Sequence, residues 1–324
     1  MYCAELAILL HRALETRVRV LTDSLAQAEW QTRPERLHEV RVASRRLRAV
    51  LGLVTPELYP GFRRHSRNLR GLTRALGRSR ELDAHLAILD SLRRQVPGLA
   101  TCSGLEHVLE VLDRHRRAAG KAMAHDLAGL ALKHLPELLE VPSLPDPFRS
   151  GELVPAVWEA LAPALEGAFA GAPHLDQEDP EALHLLRIRI KRLRYTLEVL
   201  APAFLLQPQP PLEGPPEPQD RPKPPERLDR VQRLERLKQL QTALGEHHDR
   251  ATLEARLAGL LRGLEARRRP VLAAGVRELL DQLGDARLTA FEQFRALALA
   301  TPRAPLVAGL RHDLGLAPEG ADLP

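Results

Sequence analysis

The chain has 324 residues with 47 Lys or Arg and 42 Asp or Glu, so its net charge is only +5. Hydrophobic residues make up 44% and aromatic residues 3% of it, a composition that favours a core of packed helices over sheets. The two cysteines form no C-x-x-C pair, and no apolar run approaches the ~20 residues that span a bilayer. Composition thus excludes a disulfide scaffold and a membrane-spanning protein, and it predicts a soluble cytoplasmic one.

Apolar residues recur with helical periodicity along the chain, and no segment shows the period of two that strands require. Prolines and a glycine within residues 142–151 separate two halves, which we place at 1–148 and 149–324 of a single domain. The predicted helices of the first half are 3–30, 34–54, 60–77, 82–95 and 104–140. Those of the second half are 152–170, 180–201, 227–244, 249–265, 269–283 and 285–299. The predicted fold class is all-α.

Residues 37–48 and 183–194 share the pattern L-H-x-x-R-x-x-x-[RK]-R-L-R at an offset of 146. A second pair of related segments, 69–77 and 237–245, lies at an offset of 168, which is 22 residues more. The difference matches residues 207–226, where nine prolines in twenty positions predict an inserted loop outside the core. Internal repetition at this period predicts two pseudo-symmetric helical bundles that arose by duplication. Gly77 and Gly245 are expected to end their helices as left-handed caps.

The repeated motif places its cations on one face of each helix, because residues three, seven and ten apart lie close together on a helical wheel. Apolar residues, Val40, Leu47 and Leu51 in the first copy, occupy the opposite face. Like charges one turn apart repel, and no Asp or Glu is interleaved with them. The alternative interpretation is that each face is an ordinary solvated helix surface. That interpretation does not explain why the histidine, arginine and leucine positions match in the two copies. The two faces therefore predict binding of an external anion by His38, Arg41, Arg45 and Arg48 and by His184, Arg187, Lys191 and Arg194.

Other charged residues carry weaker signals. Arg63, Arg67, Arg70 and Arg74 fall within a sector of about 60° on the next helix. The acidic residues after the two glycines, Glu81, Asp83 and Asp249, are expected to cap helix starts, with pairing to the arginines of the motif faces as the alternative. No metal site is predicted, because the neighbours His247 and His248 point about 100° apart on a helix. The remaining lone histidines, His65, His107 and His125, are expected at the surface or its boundary.

Together the paired motifs, the element that follows each and the two-half layout resemble the CHAD family, the conserved histidine α-helical domain. The resemblance extends over essentially the whole chain. It implies two helical bundles around a basic central cavity that binds inorganic polyphosphate, with members found at polyphosphate granules. The contacts that it implies, together with the two adjoining arginines of the motif, are His38, Arg41, Arg45, Arg46, Arg48, Arg70, Arg74, His184, Arg187, Lys191, Arg192, Arg194 and Lys238. One departure from the family is Glu81 after Arg80, where an Asp is usual.

The resemblance and the residues agree on the class of ligand. Polyphosphate has no bases, and Tyr195 is the only aromatic residue near either motif, whereas a site for single-stranded nucleic acid interleaves aromatic and basic residues. Nucleic acid is therefore the second candidate. A phosphate-processing enzyme is the third and least favoured candidate, because the chain has no phosphate-binding glycine loop, H-E-x-x-H motif or cysteine cluster. The two motif histidines are expected either to orient an arginine or to donate to phosphate, and in the second case binding would depend on pH through them alone.

Overall fold

A computed structural model describes residues 2–27, 33–53, 62–95, 103–130, 134, 137, 178–205, 227–300 and 308. Within these ranges the chain forms α-helices and no strand, which confirms the all-α prediction. The predicted helix 152–170 and the proline-rich residues 207–226 lie outside the described residues. The helices of the described part are α1 (Tyr2–Ala26), α2 (Pro34–Leu51), α3 (Phe62–Gln95), α4 (Ser103–Ala128), α5 (Pro180–Leu205), α6 (Arg227–Ala266) and α7 (Pro270–Leu299).

The helices that carry the repeated motif begin with local signals. Pro34 opens α2, where its missing N–H costs nothing and its fixed φ suits a helix. Pro180 opens α5, and the Oδ1 of Asp179 accepts hydrogen bonds from the backbone N–H groups of Glu181 and Ala182 at 2.9 and 3.2 Å. These starts fix where each motif lies on its helix.

Two clusters of buried aliphatic side chains form the core. The first joins α1, α2, α5, the first half of α3 and parts of α4, α6 and α7. The second joins α4 and α7 with the later halves of α3 and α6. The long helices α3 and α6 therefore pass through both clusters.

The prediction that Gly77 and Gly245 end their helices is wrong, since both lie inside continuous helices, α3 and α6. The helices continue because leucines beyond each glycine, such as Leu89 and Leu253, are buried in the second cluster. At Gly245 an added Cβ would lie 3.5 Å from the Nε of Arg187. This is an ordinary van der Waals distance, so Gly245 lies beside the guanidinium group without being required for its fit.

The two halves make equivalent contacts. Helix α3 packs against α2 and α4, and α6 packs against α5 and α7 in the same order. Equivalent helices of the two halves also meet, as α2 with α5, α3 with α6 and α4 with α7. This is the arrangement that a duplication predicts, although the duplication and the division at residue 148 stay predictions. No helix among the described residues is both long and apolar enough to cross a membrane.

Candidate functional site

The two motif faces lie close to each other across the contact between α2 and α5. Arg45 of α2 lies near enough to Arg187 and Lys191 of α5 to lower the pKa of both, after the larger effect of burial. Arg41 acts on Lys191 in the same way. We call the five cations that α2 and α5 bring together the inner cluster: Arg41, Arg45, Arg48, Arg187 and Lys191.

Arg41 is the most buried cation of this cluster, with 8% of its surface exposed. Its Nη1 donates a hydrogen bond to the backbone oxygen of Leu76 at 2.5 Å, which ties α2 to α3. Burial, followed by Arg45 and Arg80, lowers its pKa to about 9, and Asp83 opposes this. Arg41 therefore stays charged at neutral pH, at a cost in free energy.

Lys191 lies among four arginines. Burial lowers its pKa first, and Arg45, Arg187, Arg41 and Arg194 lower it further, to about 6. Most Lys191 side chains are therefore uncharged at pH 7. An anion placed beside Lys191 would raise its pKa and so favour the protonated, charged form.

Arg187 combines burial with an unused donor. Burial lowers its pKa, Asp249 opposes this shift, and its buried Nε has no hydrogen-bond partner. Burial in turn raises the pKa of Asp249, while Arg187 and Arg80 act to lower it. A buried guanidinium donor without a partner costs free energy, and a phosphate oxygen would satisfy it.

The two motif histidines lie in different surroundings. The ring of His184 stacks on that of His248 with centroids 4.1 Å apart, and its Nδ1 is buried without a partner. Burial, then Arg187 and Lys191, lowers the pKa of His184, and that of His248 falls to about 4. His38 is exposed, and after burial it is Arg80, Arg41 and Arg45 that lower its pKa. All three rings are therefore mostly neutral at pH 7.

The cluster reaches the surface at Arg48. Burial lowers the pKa of Arg48, and Arg70 of α3 and Arg192 of α5 lower it further, so both lie close by. Arg70, Arg74 and Arg192 are exposed. The structure thus places Arg70 and Arg192 beside Arg48, while Arg74 is exposed on the same helix as Arg70.

Three of the residues predicted to contact polyphosphate pair with acidic residues of the protein itself. Arg46 pairs with Glu198 at 3.6 Å, and Arg194 binds the same carboxylate and donates to the Oε1 of Gln241 at 2.8 Å. Lys238 pairs with Glu235 at 3.3 Å. The sequence expectation that no acid neutralises the motif faces is therefore wrong at Arg194, because Glu198 follows one helical turn later.

Lys238 also lines a groove of about 470 Å³ between α6 and α7, to which no member of the inner cluster contributes. The basic central cavity that the resemblance implies is a different feature, and it stays a prediction.

The acidic residues after the glycines do not cap helix starts, because they lie within α3 and α6. Glu81 accepts a hydrogen bond from Arg256 at 2.8 Å, and Asp83 pairs with Arg116 at 3.3 Å. Neither Arg256 nor Arg116 belongs to a motif face, so pairing with the motif arginines does not describe Glu81 or Asp83. Asp83 does act electrostatically on Arg41, and Asp249 acts on Arg187.

The adjacent histidines of α6 point to different partners. Whereas His248 meets His184, His247 is 1% exposed and its Nε2 lies 2.5 Å from Glu178. Arg287 of α7 donates hydrogen bonds to the same carboxylate and to that of Glu254. The described residues contain no group of three or more side chains suited to a metal. His65 is fully buried, so its predicted surface position is wrong.

Over residues 12–213, more than half of the chain, the sequence matches the CHAD domain family. The chain belongs to the CHAD domain family. The fold is also similar to that of the crystal structure of the CHAD domain from the plant Ricinus communis, with a TM-score of 0.58. That CHAD domain is 21% identical, and the match covers 92% of each chain. No curated protein matches the chain.

In this CHAD domain, sequence reasoning missed the position of Arg80 beside the cluster, whereas for His248 it favoured a structural or phosphate-facing role over a metal site. Arg80 acts on Arg41 and Arg187, and His248 stacks on His184 and lies near enough to Arg187 for that cation to lower its pKa. A signal was present: at the offset of 168, Arg80 aligns with His248, and Glu81 aligns with Asp249. Each half of the chain therefore carries a pair of polar residues at these two positions, beside its motif face.

Proposed function

We propose that this CHAD domain binds inorganic polyphosphate, without catalysis, between the motif faces of α2 and α5. The observation that carries the proposal is the inner cluster itself, in which cations from two helices lie close enough to lower each other's pKa. Burying like charges together destabilises a fold. An anion that spans both helices would reverse this repulsion.

The donors suit phosphate oxygens in particular. Guanidinium groups form forked, charge-assisted hydrogen bonds with phosphate, and four of the five cluster members are arginines. Arg187 has an unsatisfied Nε, and His184 has an unsatisfied Nδ1. Arg48, which is exposed, and Arg45, which is half-buried, are the donors that a polymer of phosphates would meet first.

The aromatic content of the site favours polyphosphate over nucleic acid. Tyr195 is buried and lies under the guanidinium of Arg194, with 4.5 Å from its Cζ to the ring centroid. Tyr195 therefore offers no free face to a base, whereas base stacking supplies much of the affinity at sites for single strands. We expect the protein at polyphosphate granules in the cytoplasm.

The test is a pair of titrations of the full chain at one ionic strength, against long-chain polyphosphate and against a single-stranded RNA homopolymer. We expect polyphosphate to bind at least tenfold more tightly. Equal or tighter RNA binding would assign the site to nucleic acid instead, and failure to bind either polymer would overturn the proposal.

Binding should also take up protons. Burial and neighbouring cations lower the pKa of His38, His184 and Lys191 in the free protein, the last to about 6. A bound polyanion raises these pKa values, because it favours the charged forms. Affinity should therefore rise as the pH falls through neutrality to about 6, the free-state pKa of Lys191.

Calorimetry at pH 7 in two buffers of different ionisation enthalpy measures this proton uptake. A His38→Gln, His184→Gln variant should lower the uptake but retain a part of it, because Lys191 remains. This expectation differs from that of the sequence, in which the histidines alone set the pH dependence. Binding by the wild type without proton uptake would contradict the assigned protonation states.

A further inference from the structure

The first half of the molecule carries an exposed basic face beside the inner cluster. We call it the outer stripe and define it as Arg63, Arg67, Arg70 and Arg74 of α3. All four side chains are exposed, while Leu69, Leu72 and Leu76 on the opposite side of the helix are buried. The stripe extends for about 16 Å along α3, given the rise of 1.5 Å per residue.

The outer stripe has no acidic partners among the described residues. Other surface cations do have them: Arg64 pairs with Glu137, Arg94 with Asp90 and Arg117 with Asp113. The stripe arginines make no such pair. Their charges are therefore available to an external polyanion, and their mutual repulsion is relieved only when one binds.

The stripe is continuous with the inner cluster at one residue. Arg70 lies close enough to Arg48 to lower its pKa. From Arg70, Arg67 lies one turn toward the start of α3 and Arg63 lies about two turns away. A chain that leaves the cluster at Arg48 would thus meet further cations in succession.

The equivalent face of α6 offers no such path. At the offset of 168 the four stripe arginines correspond to Val231, Glu235, Lys238 and Thr242. Glu235 and Lys238 pair with each other at 3.3 Å, so the four equivalent positions carry no net charge. The two halves therefore differ at this face, although their motif helices match.

We propose that the outer stripe is an extension of the binding site, on which polyphosphate chains that outrun the inner cluster continue along α3 and not along α6. This inference rests on the proposed function. The inner cluster alone holds short chains such as tripolyphosphate, and the stripe adds contacts only for longer chains. The stripe thereby gives the protein a preference for long chains.

The test is an Arg63→Gln, Arg67→Gln variant, titrated with long-chain polyphosphate and with tripolyphosphate. Both residues lie at the far end of the stripe from Arg48. The matched control is Arg114→Gln, Arg262→Gln, which removes the same charge from two exposed positions on α4 and α6.

We expect the stripe variant to bind long chains about 5-fold more weakly, as for two exposed charge pairs. The slope of log K against log salt should fall by about 1.4, or 0.7 for each lost phosphate contact. Tripolyphosphate affinity should change less than 2-fold, and the control variant should bind both ligands like the wild type.

Three results would overturn the inference. These are an unchanged long-chain affinity and slope in the stripe variant, an equal loss for both ligands, or the same loss in the control. In each case the wild type would still bind polyphosphate, so the proposed function would stand. A wild type that binds neither ligand would refute both proposals.

Discussion

Alanine in place of Arg41 and Arg45, or in place of Arg187 and Lys191, should weaken polyphosphate binding by about 1 to 3 kcal/mol for each pair. The two losses should be comparable, because the cations of α2 and α5 act on one another across the same contact. Isothermal titration with long-chain polyphosphate measures both. Helix content by circular dichroism should not fall, because Ala is the best helix former.

The matched control is Arg19→Ala, Arg36→Ala, which removes two exposed arginines that pair with Glu15 and Glu39 on their own helices. We expect this variant to bind within 2-fold of the wild type. If one cluster pair proves silent while the other carries all of the affinity, the two motif helices do not share a site and the second is scaffold.

Replacing Lys191 by methionine should stabilise the fold and weaken binding. The folded protein lowers the pKa of Lys191 from 10.5 to about 6, so the unfolded chain binds more protons between these values. Stability is therefore lost progressively as the pH falls from about 10.5 to about 6. Methionine keeps the volume without the charge, and it should raise the free energy of unfolding at pH 7 by a few kcal/mol.

Denaturant unfolding at pH 7 and pH 9, followed by circular dichroism, measures the free energy of unfolding. The increase caused by Lys191→Met should be larger at pH 7. Lys238→Met is the control, because Lys238 is 61% exposed and should change stability by no more than about 0.5 kcal/mol. Polyphosphate affinity should fall about tenfold in Lys191→Met alone. A Lys191→Met protein that is less stable than the wild type would show that Lys191 is not repelled by its neighbours.

The sequence predicted the helices and their buried faces well, because helical periodicity depends on local spacing. Val40, Leu47 and Leu51 are buried as predicted, and so are Leu186, Leu193 and Leu197 of the second motif. The lengths of α3, α6 and α7 were not predicted, since the sequence divided each of them into two helices. Glycine inside a helix costs only about 1 kcal/mol, and burial in the second leucine cluster outweighs that cost.

The sequence placed the cations on helix faces but not in three dimensions. The pairing of Glu198 with Arg46, and the position of Arg80 near Arg41, depend on how α2, α3 and α5 pack together. The pattern along one helix does not encode the register between helices. Likewise, the lowered pKa of Lys191 follows from burial and from cations of a second helix, which no spacing reveals.

The salt dependence of polyphosphate binding by the wild type tests the central claim, that cations from both motif helices neutralise one polyanion. Titrations at four or more salt concentrations give the slope of log K against log salt. Each neutralised phosphate contributes about 0.7, so six to eight contacts predict a slope of about −4 to −6. A slope near zero, or one that a single helix with two or three contacts would give, would contradict the claim.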